Sequence, residues 1–170
     1  MNPMIRKAVA ADAAALMELV RDCVGAMRSA GIEQWDEVYP NADNISRDIE
    51  EGTMDVLCED GVIAGCVAVD RNMDPLWEGL DWSGEGEPPA AVHRLMVHPS
   101  RQGRGLAKTL MQHAEAVAGQ QACRSIRLDT FLQNPVAMAL YSRLGYRRTG
   151  TAMMRKGEFV GFEKLLRANL

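Results

Sequence analysis

One stretch of sequence decides how this chain folds: Val97-His98-Pro99-Ser100-Arg101-Gln102-Gly103-Arg104-Gly105-Leu106-Ala107. An apolar segment, Ala91 to Val97, precedes it, and apolar residues then recur at helical spacing from Gly105 to Ala118. Glycines such as Gly103 and Gly105 let an anion approach the backbone, because they have no Cβ. The first N–H groups of a helix lack partners within it, and the helix dipole favours negative charge there. The sequence therefore predicts a pyrophosphate-binding turn between a strand and a helix.

Two common phosphate-binding motifs are excluded at this turn. The mononucleotide loop requires four residues between its first glycine and a Gly-Lys-Ser/Thr sequence, which the chain lacks. The dinucleotide fingerprint requires Gly-x-Gly-x-x-Gly, and Lys108 stands where its third glycine would be. Taken by itself, the short motif fits an ordinary glycine-rich turn before a surface helix equally well.

Composition indicates a globular protein without a basic surface for nucleic acid. The length of 170 residues suffices for a core without disulfides or metal, so we expect a single domain over 1–170. A hydrophobic content of 47% and a charged content of 25% are typical of soluble domains. The net charge of −4 argues against a general nucleic-acid binder, which normally carries a basic excess. We therefore expect no nucleic-acid partner.

The sequence contains no recognisable targeting or membrane-spanning segment. The N-terminus has no apolar run of signal-peptide type, and no uninterrupted apolar stretch reaches membrane length, so we expect a cytoplasmic protein without a membrane partner. Cys23, Cys58, Cys66 and Cys123 show no Cys-x-x-Cys spacing, which favours buried thiols over disulfides, zinc ligands or a nucleophile. The histidines are scattered, and we expect no metal site.

Hydrophobic periodicity and turn residues predict elements in the order β-α-α-β-β-β-α-β-α-β-β. We expect Asp12 to cap the first helix and Asn134 to cap the last, with Pro135 at its first position. Asp60-Gly61 indicates a hairpin. The order favours one mixed α/β unit with helices layered on a sheet. Predicted strands span about 5–9, 54–59, 62–70, 90–97, 125–131, 146–155 and 158–166, and predicted helices about 13–30, 45–51, 105–118 and 135–144.

Several motifs in this order resemble the GNAT superfamily of acetyl-CoA-dependent N-acyltransferases over nearly the whole chain. Residues 102–107 fit its Gln/Arg-x-x-Gly-x-Gly/Ala pattern. A bacterial subgroup has Gly-Ile-x-Gln-Trp, Tyr-Pro-Asn and Ile-Arg-Leu-Asp-Thr-Phe, which here begin at Gly31, Tyr39 and Ile126. The resemblance implies a mixed, mostly antiparallel central sheet with helices on both faces. Residues that resemble the downstream half of the superfamily signature are Asn134, Ala137, Leu140, Tyr141, Gly145 and Tyr146.

The resemblance also implies how acetyl-CoA, the co-substrate, is bound. Leu95 and Val97 resemble strand residues whose main chain hydrogen-bonds the pantetheine arm, which requires a bulge and splaying of that strand. Asn134 resembles the residue that steadies the cofactor near the thioester, and it fits a plain helix cap equally well. Arg101 and Lys108 are further phosphate contacts or solvated charges. The pyrophosphate segment, which acts mainly through backbone N–H groups, comprises Gln102, Gly103, Arg104, Gly105, Leu106 and Ala107.

Two residues resemble proton-transfer groups of the family. Tyr141 resembles the general acid that protonates the departing CoA thiolate, and a core tyrosine on the apolar stripe of its helix is the alternative. A phenol still holds its proton at pH 7. His93 stands in the fourth strand, where many relatives carry a Glu, and histidine is the side chain that most often serves as a general base. Packing within the strand is the alternative for His93, and a water chain ending at Glu33, Asp36 or Asp129 is an alternative base.

The segment after the first helix walls the acceptor pocket in relatives, so Gln34, Trp35 and Tyr39 are candidate substrate-binding residues or simply loop packing. The predicted function is transfer of the acetyl group of acetyl-CoA to a primary amine of a small molecule or peptide by direct attack, in a monomer or homodimer. A non-catalytic acyl-CoA-binding or sensing module is the alternative, and an interaction domain using Trp77 and Trp82 is a third. The acidic loop after the third strand favours a cationic acceptor or is only a solvated surface. Its acidic residues are Asp70, Asp74, Glu78, Asp81, Glu85 and Glu87.

Overall fold

The computed structural model describes residues 2–83 and 88–167. Its helices are α1 (Ala13–Ser29), α2 (Ala42–Glu50), α3 (Leu106–Gln120) and α4 (Pro135–Arg143). Its strands are β1 (Met4–Lys7), β2 (Met54–Glu59), β3 (Val62–Asp70), β4 (Ala90–Val97), β5 (Ser125–Phe131), β6 (Arg147–Met154) and β7 (Gly157–Leu165). The sheet order is β1-β2-β3-β4-β5-β7-β6. The β1–β2, β2–β3, β5–β7 and β6–β7 pairs are antiparallel and β4–β5 is parallel, which confirms the predicted mixed, mostly antiparallel α/β fold.

Helix α1 begins at Ala13 as predicted, whereas helix α2 begins before its predicted start. Asp12 lies at the N-cap position of α1 as predicted, but its side chain makes no capping hydrogen bond: the carboxylate accepts hydrogen bonds from Arg6 Nη1 at 2.7 Å and from the Val9 N–H at 2.8 Å instead. The Arg6 hydrogen bond also lowers the pKa of Asp12. Helix α2 begins at Ala42, before its predicted start, because the Asn41 side chain accepts a hydrogen bond from the Asn44 N–H at 3.0 Å and caps it.

Contacts divide the described residues into two compact units, each built from two stretches of chain. The first contains the chain up to Ala68 together with His93–Gln112. Its core is an apolar cluster of buried side chains, and burying each leucine or isoleucine among them contributes about 1.5–3 kcal/mol. The members with no exposed surface are Leu16, Ile45, Met54, Val56, Cys66 and Ala68.

A glycine controls the approach of β3 to β4 in this first unit. A Cβ on Gly65 would lie 2.6 Å from the Met96 carbonyl oxygen and 3.1 Å from Leu110 Cδ1. Only glycine therefore lets the two strands run this close without a shift of the backbone.

The second unit contains Val69–Val92 and the chain from His113 onward. Its two loop tryptophans pack against the chain itself: Trp77 Nε1 donates to Asp129 Oδ2 at 2.7 Å, and Trp82 Nε1 donates to the Trp77 carbonyl at 3.0 Å. The Arg127 guanidinium lies 4.7 Å from the centre of the Trp82 ring. Trp77 is buried and Trp82 is half-buried, and both pack within this unit rather than forming the interaction surface considered from the sequence.

The four cysteines are free and buried, which confirms the interpretation as buried thiols. In the part of the chain that the structure describes, no helix is both long and apolar enough to cross a bilayer. A single domain over 1–170 stays a prediction.

Candidate active site

The glycine turn has the geometry that the sequence predicts. Gly103 and Gly105 take left-handed backbone conformations with φ of 76° and 81°, which glycine adopts without steric cost. A Cβ at either position would meet nothing within 4 Å, so the space beside both is open to a ligand. Helix α3 begins at Leu106, and its first-turn N–H groups lack partners within the helix. The turn therefore fits a pyrophosphate bound by backbone donors.

The arginines of the turn are bound within the protein. Arg101 Nη1 donates to Glu59 Oε2 at 2.7 Å, and Arg104 donates to both oxygens of Glu59 at 3.0 Å. The Glu59 side chain is 7% exposed, and the Arg101 hydrogen bond is the main cause that lowers its pKa. Both guanidinium groups thus pair with Glu59 of β2, which leaves the backbone N–H groups as the candidate anion donors of the turn.

The main chain at the end of β4 faces away from β3 at the two predicted pantetheine-binding residues. The His98 N–H donates to the Ala64 carbonyl of β3 at 2.8 Å, and the Met96 carbonyl also faces β3 at Gly65. Main-chain groups of successive strand residues point to opposite edges, so those of Leu95 and Val97 point away from β3.

The side chain of Gln102 binds this strand. Gln102 Nε2 donates to the Val97 carbonyl at 3.1 Å, and the Cys23 thiol donates to the same oxygen at 3.4 Å. Sequence reasoning placed Gln102 in the pyrophosphate segment without this side-chain role. Leu106 is buried and Ala107 is half-buried, which leaves their backbone for ligand contact.

Sequence reasoning missed a buried ion pair next to these residues. Arg94 of β4 donates from Nη2 to Asp48 Oδ1 at 2.6 Å and from Nε to Asp48 Oδ2. Its Nη1 donates to the Tyr39 hydroxyl at 3.0 Å. An arginine inside an apolar strand was the signal in the sequence, because a buried charge requires a partner.

The candidate acceptor residues belong to the first unit. Gln34 is buried, and Trp35 is half-buried against the apolar cluster of α1 and α2. Asp36 Oδ1 accepts hydrogen bonds from the N–H groups of Val38 at 3.0 Å and Tyr39 at 3.3 Å, which shapes the turn. Of these candidates, the structure joins Tyr39 to the β4 strand through Arg94.

His93 is half-buried on β4, directly before Arg94.

The remaining candidates lie in the second unit. The Asn134 side chain accepts a hydrogen bond from the Ala137 N–H at 3.2 Å, which confirms it as the cap of α4. Tyr141 is buried with its ring 5.5 Å from that of Phe162, and burial, followed by the charge of Asp129, raises the pKa of its phenol. Tyr141 therefore keeps its proton at neutral pH, as a general acid must.

Comparison with known proteins gives consistent likenesses. The model of the acetyltransferase (GNAT) family matches residues 14–146. S-(2-succino)cysteine N-acetyltransferase of Bacillus subtilis (strain 168) is 26% identical over 175 residues, covering 100% of both chains. A GNAT-family acetyltransferase structure from Streptococcus agalactiae superposes with a TM-score of 0.86 at 25% identity, covering 97% of this chain and 96% of that one. An acetyltransferase of Salmonella typhimurium, solved with its cofactor acetyl-CoA, shares the fold with a TM-score of 0.72 at 21% identity, covering 100% and 97%.

Proposed function

Because the chain belongs to the acetyltransferase (GNAT) family and is therefore an acetyl-CoA-dependent acyltransferase, we propose that its acceptor is a primary amine of a small molecule or peptide. Transfer proceeds by direct attack of the amine, so no covalent enzyme intermediate is required. The name of the Bacillus relative, an N-acetyltransferase, supports the amine acceptor, and the observation that supports acetyl-CoA at this site is the pairing of the open glycine turn with a β4 main chain that faces away from β3. The glycine turn fits the pyrophosphate, and the β4 main chain fits the pantetheine arm.

Each part of this backbone has a distinct role. The N–H groups of residues 102–107 bind the pyrophosphate at the start of α3. The main chain of Leu95 and Val97 binds the pantetheine arm, and N–H donors around Val97 stabilise the negative charge that develops on the acetyl oxygen. Gln102 and Cys23 hold the Val97 carbonyl, which fixes the end of the strand for both tasks.

Two proton transfers complete the reaction. As the amine nitrogen bonds to the acetyl carbon and the C–S bond breaks, Tyr141 donates a proton to the departing CoA sulfur; its phenol is protonated at neutral pH and so has that proton to give. An alkyl amine with a pKa of about 10.4 is mostly protonated at pH 7, so a base must accept its proton. His93 is our candidate base. Among the alternatives, Asp36 accepts two backbone N–H groups and Asp129 accepts Trp77 Nε1, so both carboxylates already shape their own segments.

The acidic loop gives limited support to a cationic acceptor. Asp74 Oδ1 accepts the Leu76 N–H at 2.8 Å, and Asp81 pairs with Arg147 at 3.0 Å. These carboxylates therefore shape or neutralise the loop, and Glu85 and Glu87 lie outside the described residues. The Bacillus relative, whose name describes N-acetylation of a cysteine derivative, supports an amino-acid-like amine instead.

Release of the CoA thiol over a panel of amines tests this proposal. The panel contains S-(2-succino)cysteine, other amino acids, polyamines, aminoglycosides and short peptides, each with acetyl-CoA and purified protein. We expect CoA release that depends on one class of amine, with acetylated nitrogen identified by mass spectrometry. Binding of acetyl-CoA without release for every amine would instead support the non-catalytic acyl-CoA-binding module.

A further inference from the structure

Arg94 has an unusual backbone conformation for a residue inside a strand. Its φ is 52°, in the left-handed region that residues with a Cβ rarely occupy. The burial pattern of β4 changes at this point: Ala90, Ala91 and Val92 are all buried, whereas the next three residues are half-buried. The register between β4 and β5 covers Ala90 and Ala91, on the N-terminal side of Arg94. The strand is thus kinked directly before Leu95.

The side chain of Arg94 is fixed at both ends of its guanidinium. Nε and Nη2 bind the two oxygens of Asp48, whose side chain is 5% exposed, while that of Arg94 is 9% exposed. Nη1 binds the Tyr39 hydroxyl. A paired guanidinium–carboxylate contact of this kind fixes both position and orientation, unlike a single hydrogen bond. The Cys66 thiol also donates to the Arg94 carbonyl at 3.5 Å, so main chain and side chain are both held.

We infer that Arg94 and Asp48 are positioning residues for acetyl-CoA: their ion pair holds β4 in the kinked conformation that presents the main chain of Leu95 and Val97. The inference rests on the proposed role of those two residues. An unfavourable backbone conformation persists where surrounding contacts hold it in place. Here the ion pair between Arg94 and Asp48 of α2 is such a contact. Without it, β4 relaxes towards an ordinary strand and the binding-competent population falls.

Calorimetric titration of acetyl-CoA into variants of the ion pair tests this inference. We expect Asp48→Asn to weaken acetyl-CoA binding by about 5- to 30-fold, because the apparent Kd rises as the competent fraction falls. The matched control is Asp55→Asn, which removes an equally buried carboxylate that pairs with Lys7 at 3.0 Å, away from β4. The control should lose thermal stability but retain wild-type acetyl-CoA affinity.

A pair of substitutions at position 94 separates the kink from the ion pair. Arg94→Ala and Arg94→Gly both remove the guanidinium, but only glycine adopts positive φ without a steric cost. We expect Arg94→Gly to bind acetyl-CoA at least about threefold more tightly than Arg94→Ala. With an acceptor amine, both should raise the KM for acetyl-CoA more than they lower kcat.

Equal affinities for Arg94→Ala and Arg94→Gly, or wild-type affinity in a folded Asp48→Asn variant, would overturn the inference. Circular dichroism and thermal melts establish which variants are folded. Failure of the proposed function is distinguishable, since it would appear as wild-type protein that binds acetyl-CoA and acetylates no amine.

Discussion

The two units carry their candidate functional groups in different ways. In the first unit the groups proposed to bind acetyl-CoA are main-chain donors and acceptors, at the glycine turn and at the end of β4, and the arginines around them are paired with the buried carboxylates Glu59 and Asp48. In the second unit the groups are side chains, chiefly Tyr141, which is packed among aromatic rings. Backbone-borne function requires residues that shape the backbone, whereas side-chain function requires residues that enclose one group.

Among the substitutions that test this comparison, Gly105→Asp should have the largest effect, a loss of acetyl-CoA affinity. A carboxylate at the turn would approach the pyrophosphate, and repulsion of like charges about 4 Å apart amounts to about 4 kcal/mol at an intermediate dielectric, or roughly a thousandfold in affinity. We expect calorimetry to detect no acetyl-CoA binding. Gly52→Asp is the matched control, because Gly52 also has positive φ and open space beside it, but follows α2. Unchanged affinity in folded Gly105→Asp protein would remove the phosphate site from this turn.

Tyr141→Phe tests the side-chain role proposed for the second unit. Loss of a general acid costs about 10²–10⁴-fold, less where water substitutes, so we expect kcat to fall by about one to three orders of magnitude. The Kd of acetyl-CoA should change little. Tyr146→Phe is the control: this neighbouring buried tyrosine donates to Glu115 Oε1 at 3.1 Å and has no proposed part in the reaction. A fully active Tyr141→Phe enzyme would show that Tyr141 serves only packing.

Gly65→Ala tests whether the close approach of β3 to β4 in the first unit tolerates a side chain. The added Cβ would lie 2.6 Å from the Met96 carbonyl oxygen, so β3 or β4 must shift. We expect the free energy of unfolding in urea to fall by about 1–3 kcal/mol. Gly25→Ala, within α1 where a Cβ meets nothing within 4 Å, should instead raise stability by about 0.5–1 kcal/mol. Equal effects of the two substitutions would contradict the close approach of the strands.

The fall in the free energy of unfolding at alkaline pH should report on the burial of Tyr141 in the second unit. Burial raises the pKa of Tyr141, so the folded state keeps a proton that the unfolded chain loses above about pH 10. This contribution is complete below that pH and is lost as pH rises, at about 1.4 kcal/mol per pH unit. Urea unfolding of wild type and Tyr141→Phe between pH 9 and 11.5 measures it as a difference in slope. Parallel pH profiles would argue against the burial of this phenol.

Local sequence predicted a large part of the fold and of the candidate site. The glycine turn, the hairpin at Asp60-Gly61 and the Asn134 cap depend on residues within a few positions of one another, and all three appear in the structure. The structure confirms the element order that periodicity predicted, and the comparisons with known proteins confirm the family, the acyltransferase activity and the co-substrate acetyl-CoA that the motif resemblance implied. The roles of individual site residues, the acceptor and the oligomeric state stay predictions.

Only the tertiary structure decided which charged side chains meet. Asp12 lies at the expected N-cap position, but its carboxylate pairs with Arg6 at 2.7 Å instead of accepting a hydrogen bond from the first turn of α1. The partners Glu59–Arg101 and Asp48–Arg94 are 42 and 46 residues apart, so no local pattern indicates them. The sequence by itself located the glycine turn and the candidate side chains for acetyl transfer. The packing of strands and helices determined which carboxylates hold that backbone in place, because long-range partners are selected by proximity in the fold.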